Sequence, residues 1–206
     1  MKLRETGVTE FTQLIAGRAP APGGGGACGA CAAVAVALGS MVGEFTVGKK
    51  KYAQHEERVL QIMNRAEEIR VRLLELIDED AANFEPLSQA YGIPKDAPGR
   101  ADELEKCLFL AIKAPLEIFK LCCEVIDIQE ELSRIGSVLM LSDAATGVSL
   151  ARGALMGAAA NVRVNTALMA DRSFAQRTDK VLAEKLKVYT ALADKVFYSV
   201  YDGYGE

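Results

Sequence analysis

From about Lys51 to Tyr91, apolar residues recur at Val59, Ile62, Ala66, Ile69, Leu73 and Leu76, alternately three and four positions apart. Charged residues such as Glu57, Arg58, Glu67, Glu68, Arg70 and Arg72 fall mostly around the outside of that stripe. The spacing holds one face of a helix toward a partner. It predicts a single long helix of roughly 35–40 residues, about 55 Å from end to end, unless Pro86 ends or kinks it early. Gly92 to Gly99, with Pro94 and Pro98, reads as a loop. Leu104, Leu108, Ala111, Ile118, Cys122, Val125 and Leu132 then define a second long helix, in which Pro115 predicts a kink rather than a break. A short helix over Thr9–Ala16, with Thr9 as its cap, and a last helix over Phe174–Tyr198 complete the amphipathic set. The tail from Tyr201 to Glu206 reads as frayed.

Two further segments follow a different pattern. Ala27 to Gly43 carries no charge, within a predicted helix from about Gly26 to Val47, and a helix without a polar face must be covered on all sides. Ala144 to Ala170 is crowded with small residues, among them Gly147, Gly153, Gly157 and Ala158 to Ala160. Small side chains let two helix backbones approach closely, so these two segments are natural partners. Ile135 to Leu141 reads as a connection, after which Ser142 is expected as an N-cap with Asp143 in the first turn, where its charge suits the helix dipole. Period-2 alternation is nearly absent. The prediction is an all-α fold: an elongated bundle of five to six helices, two of them Gly/Ala-rich and centrally packed, in one domain spanning 1–206.

Composition narrows the function. The 206 residues are 50% hydrophobic and 25% charged, ordinary for a globular protein with a sizeable core. A net charge of −4 and an aromatic content of 6% argue against a nucleic-acid partner. Met1 to Glu5 does not begin a signal peptide, and Ala27 to Gly43 is short of a membrane span, so no membrane partner is expected. Five cysteines, an odd count, fit reduced thiols and a cytoplasmic location.

The candidate chemistry begins where the long stripe turns polar. Asp80 lies four residues beyond Leu76 and three beyond Ile77, so it shares their inward face and leads on to Phe84. A carboxylate there is either paired to a neighbouring helix or turned toward a polar cavity. Asn161 and Asn165 stand one turn apart inside an apolar helix, with Arg163 off their face; they serve either as interhelix hydrogen bonds or as readers of a heteroaromatic ring or anion. Gly23 to Gly26 follow Pro20-Ala21-Pro22 and would let backbone N–H groups approach a ligand at the head of a helix. Gly43 to Lys50 nearly matches a phosphate-binding loop, but the magnesium-holding Ser/Thr is replaced by Lys50 and no strand precedes it. Cys28 and Cys31 form a CxxC without a second pair, and His55 is the single histidine, so neither a metal site nor a Ser-His or Cys-His nucleophile is expected.

Taken together, these segments resemble the cyclodeaminase family, which includes the C-terminal domain of formiminotransferase-cyclodeaminase and stand-alone methenyl-tetrahydrofolate cyclohydrolases. The resemblance rests on Pro22-Gly23-Gly24-Gly25, on Met41-Val42 followed by Thr46 to Tyr52, and on Asp80-Ala81-Ala82-Asn83-Phe84 with Ala90-Tyr91 and Pro94-Lys95. It continues through Ala114-Pro115-Leu116, Ser142-Asp143-Ala144 and Asn161 to Asn165. The chain departs from the pattern at Gly26, where the family usually has serine, and at Gly136-Ser137, where Gly-Asn is usual. The resemblance implies a homodimeric helical bundle acting on a tetrahydrofolate derivative as substrate, without a metal. The implied reaction is hydrolysis of the methenyl bridge to formyl-tetrahydrofolate, or else cyclisation of the formimino form with release of ammonia. A non-catalytic folate-binding dimer is the remaining alternative. On this reading Asp80 and Asp143 are the candidate catalytic carboxylates. Gly23, Gly24, Gly25, Lys49, Ser142, Asn161, Arg163 and Asn165 are the candidate substrate contacts, with Lys49 or Arg163 taking the anionic glutamate tail.

Overall fold

The structure, a computed structural model, describes residues 2–203. Among them there is no strand. Seven α-helices follow in order: α1 (Val8–Ile15), α2 (Gly24–Glu44), α3 (Glu56–Ala90), α4 (Arg100–Ala111), α5 (Lys113–Ile135), α6 (Leu141–Thr166) and α7 (Arg172–Asp202). Single 3-10 turns occupy Leu3–Glu5, Lys50–His55 and Val138–Met140.

The stripe of α3 is buried along its length, from Val59 through Ile62, Ala66, Ile69 and Leu73 to Leu76. Its outer face is tied to α5 by charge: Arg58 holds Glu131 at 2.7 Å, Arg65 holds Glu124 at 2.7 Å, and Arg72 holds Glu117 at 2.7 Å. The helix runs 35 residues, close to the predicted length, because Pro86 sits within its last turns and does not end it. It starts later than expected, since Lys50 to His55 wind into a 3-10 turn first.

α2 lies antiparallel to both α3 and α6, and its contacts with these two are the most extensive in the molecule. Close approach is possible because glycines stand where the backbones cross: a Cβ on Gly157 of α6 would lie 2.5 Å from the Cys28 sulfur of α2. From α5, the fully buried Gln129 crosses to α2 and donates through Nε2 to the Ala35 carbonyl at 2.6 Å. One contiguous hydrophobic cluster joins α2 to α7.

The differences from expectation lie at helix ends. α2 begins at Gly24, two residues before the expected start near Gly26, and ends at Glu44 rather than near Val47. The first N–H groups of a helix need no intrahelical partner, and the side chains packed on these glycines hold them in place. Thr9 is the second residue of α1 and Gly7 precedes the helix. Ser142 does not cap α6, which already begins at Leu141 behind the 3-10 turn. At Pro115 the chain is interrupted by one residue, Ile112, which keeps helical dihedrals between α4 and α5. α7 starts before Phe174 because Asp171 caps it, accepting from the Phe174 N–H at 2.8 Å. It continues through Asp202, past the predicted start of the frayed tail, while Tyr204 to Glu206 lie outside the described residues.

Candidate active site

At one end of the bundle, the start of α2, the last third of α3, the α4–α5 junction and the last third of α6 enclose a cavity of about 110 Å³. Its wall is made by Pro20, Ala21 and Gly23 to Gly25, by Asp80 and Phe84, by Ala111 and Pro115, and by Asn161, Val164 and Asn165. Asp80, the three glycines and the two asparagines are thus brought together from segments far apart in sequence.

Asp80 is the electrostatic centre. The register that buries Leu73, Leu76 and Ile77 turns its carboxylate inward, against the first turn of α2. A Cβ on Gly25 would overlap that carboxylate, so only glycine allows the approach. Burial raises the Asp80 pKa from its usual 3.8 to about 6, with the Gly26 backbone N–H pulling in the opposite direction. A carboxyl group that ionises near neutrality is suited to taking a proton from water.

The asparagines are oriented by their own helix. Asn161 Nδ2 donates to the Gly157 carbonyl at 2.8 Å, and Asn165 Nδ2 donates to the Asn161 carbonyl at 2.9 Å. Each amide therefore spends one of its two donors on the backbone and keeps the other N–H and its carbonyl oxygen for a further partner beside the cavity. Asn161 also lies over Gly24, where a Cβ would come within 3.0 Å of its amide nitrogen.

The other candidates are elsewhere. Arg163 is exposed and paired to Asp179 of α7, away from the cavity. Lys49 follows the far end of α2, with its ammonium 5.7 Å from the Phe45 ring centroid. Ser142 and Asp143 lie in the first turn of α6; Asp143 is 18 residues from Asn161, which is about 27 Å along a helix. Cys28 and Cys31 are free thiols, and burial pushes Cys28 up to about 11, which suits a packing role better than a nucleophilic one. Among the described residues, no cluster of three His, Cys, Asp or Glu is placed to hold a metal.

Gly26, the departure from the family pattern, is not blocked. A Cβ there would meet Pro22 at 3.5 Å and Ile77 at 3.6 Å, ordinary contact distances. Sequence reasoning passed over Ala111, Pro115 and Val164 as wall residues. The signal for Pro115 was present, since a proline inside a helix pattern marks an altered backbone.

The family model described as formiminotransferase-cyclodeaminase matches residues 7–184. A methenyltetrahydrofolate cyclohydrolase of Methylorubrum extorquens is 36% identical over 197 residues, covering 94% of this chain and 95% of that protein. A formimidoyltransferase-cyclodeaminase of Mus musculus is 28% identical over 189 residues; these cover 90% of this chain but 35% of that longer protein. The crystal structure of a formiminotetrahydrofolate cyclodeaminase from Thermotoga maritima superposes with a TM-score of 0.84 at 26% identity, covering 99% of this chain and 100% of that one.

Proposed function

This chain belongs to the formiminotransferase-cyclodeaminase family, and from that premise we propose that it is an enzyme that hydrolyses methenyl-tetrahydrofolate to formyl-tetrahydrofolate. The observation that carries the reading is Asp80: a carboxylate with its pKa near 6, at the end of a buried stripe, facing a cavity that Asn161 and Asn165 also line. Its support from relatives is the 36% identity, over nearly the full length of both chains, to a protein named for this reaction.

The methenyl bridge is a cation delocalised over two nitrogens. Asp80 takes a proton from a water molecule as its oxygen adds to the bridge carbon, giving a neutral tetrahedral adduct. The same carboxyl returns the proton to one ring nitrogen as that carbon–nitrogen bond breaks. The adduct's hydroxyl releases its proton to solvent as its oxygen becomes the carbonyl of the formyl group left on the other nitrogen. Acceptors around the cavity favour the positive charge of the substrate. Gly23, Gly24 and Gly25 shape the wall, and Asn161 and Asn165 accept from ring N–H groups. Asp143, Ser142, Lys49 and Arg163 have no place in this cavity within one chain.

The related reaction, cyclisation of formimino-tetrahydrofolate with loss of ammonia, is favoured by the fold neighbour and by the animal relatives named for it. The proposal also includes a homodimer and a cytoplasmic setting. The dimer is supported by an uncovered apolar face on which α1 has no buried residue and Val8, Val34 and Met41 are exposed. The setting is supported by five free thiols.

The test follows the absorbance of methenyl-tetrahydrofolate with purified protein, beside an assay for ammonia from formimino-tetrahydrofolate. Loss of methenyl absorbance well above the buffer rate is expected. A rate equal to buffer with ammonia released would reassign the chain to the second reaction, and inactivity in both would leave the non-catalytic binder.

A further inference from the structure

Phe84 is the one aromatic side chain in the wall of the glycine-end cavity, and the hydrolysis gives it no role. It stands four residues beyond Asp80 on α3, so the carboxylate and the ring share one face of that helix, a turn apart. The ring is half-buried and packs against the hydrophobic core, which holds it at the wall.

Elsewhere the chain pairs its rings with its own groups. Lys49, Lys51 and Lys185 place their ammonium groups 5.7, 5.4 and 5.7 Å from the ring centroids of Phe45, Tyr52 and Tyr189. Phe109 packs on Phe174 with centroids 4.9 Å apart, and Phe197 packs on Tyr198 and Tyr201. Among the described residues Phe84 takes part in no such pair, and no lysine or arginine lines its cavity. The wall therefore presents one carboxylate, one unpaired ring and two amides among small and aliphatic residues. An aromatic face carries partial negative charge and attracts a cation, most strongly where water is excluded. A flat, delocalised cation can meet such a face with its plane and a carboxylate with its edge. A neutral ring of the same shape gains only the apolar contact.

We propose that Phe84 is a substrate-selecting residue: its ring stacks on the cationic bridge of methenyl-tetrahydrofolate and holds that form more tightly than folates without the charge. This deepens the cyclohydrolase reading and rests on it for the identity of the cation. Addition of water removes the bridge charge, so the hold of the ring weakens as the neutral adduct forms. Phe84 thus acts on binding of the substrate rather than on the bond-breaking step.

The test compares KM for methenyl-tetrahydrofolate with the inhibition constant of tetrahydrofolate, which shares the ring and tail and has no bridge cation. Phe84→Leu is expected to raise KM about 5–30-fold, the span of one partly desolvated cation–π contact, with the inhibition constant within about twofold and kcat within about threefold. A second variant carries trifluorophenylalanine at position 84, which keeps the shape of the ring and withdraws charge from its face; KM should rise there too. An equal rise in both constants would assign Phe84 to filling space, and an unchanged KM in the fluorinated variant would remove the charge argument. Either result overturns the inference, and if Phe84→Leu fails to fold the fluorinated variant decides alone. A wild-type chain that fails to consume methenyl-tetrahydrofolate overturns the functional reading instead. Calorimetric binding of the two folates to the wild type and the fluorinated variant then tests the ring by itself, and a wild type with no preference for the cation overturns the inference as well.

Discussion

The two ends of the α2–α6 pair carry similar kinds of polar residue and use them in opposite ways. At the far end, the buried Thr46 hydroxyl accepts from the Ser137 N–H at 2.8 Å and donates to the Val42 carbonyl at 2.6 Å. The Tyr52 hydroxyl accepts from the Val138 N–H at 3.0 Å. Those groups complete one another and pin the α5–α6 connection to the end of α2. At the glycine end, Asp80, Asn161 and Asn165 engage only part of their capacity and leave oxygens beside a cavity. A polar group closed on the fold stabilises it. A polar group left open on a cavity binds something else, and the raised pKa of Asp80 marks where the fold accepts that cost.

The most severe way to break the comparison is Asp80→Asn. It is expected to lower kcat/KM by about 10²–10⁴, the usual contribution of a general base. Stability moves the other way. The folded protein holds the Asp80 proton up to about pH 6 and the unfolded chain only to about 3.8, so stability falls as pH rises through that window. Above it, Asp80→Asn should melt at a higher temperature than the wild type, and near pH 4 the two should converge; calorimetry at both pH values checks this.

Thr46→Val does the reverse. It leaves the buried Ser137 N–H without an acceptor and is expected to cost roughly 1–3 kcal/mol in urea unfolding, with kcat/KM preserved. A matching loss of activity would mean that the far end is part of the site. Asn161→Ala removes one open acceptor, and a rise in KM of about tenfold with little change in kcat is expected. The smallest effects are predicted for Lys49→Ala and Asp143→Asn, each within about twofold of wild-type kcat/KM. A large loss in either would show that the two ends meet between copies of the chain, since one copy holds them about 27 Å apart.

Much of this division was legible in the sequence. The three-four spacing of α3 put Asp80 inward, because the side chains that precede it on the stripe fix the rotation of the helix. Asn161 and Asn165 could be paired by their one-turn separation. Which polar group is closed and which is open was not legible, because it depends on partners remote in the chain. Arg163 sits between the two asparagines in sequence, yet it turns outward to Asp179, more than a dozen residues later. Ser142 has the residue type of a cap, but the 3-10 turn at Val138–Met140 starts the helix before it. The extension of α2 back to Gly24 was not legible, because the Asp80 and Asn161 side chains that lie against its first glycines come from segments remote in the chain.

The central claim, that Asp80 is the proton acceptor of the glycine-end cavity, is tested most directly by the pH dependence of methenyl-tetrahydrofolate hydrolysis, corrected for the buffer rate. The wild-type kcat/KM should climb with increasing pH as Asp80 ionises, with a midpoint near 6, and level off above it. In Asp80→Asn the profile should be low and without that midpoint. A wild-type profile that is flat through pH 6, or a variant that keeps the same rise, would contradict the account.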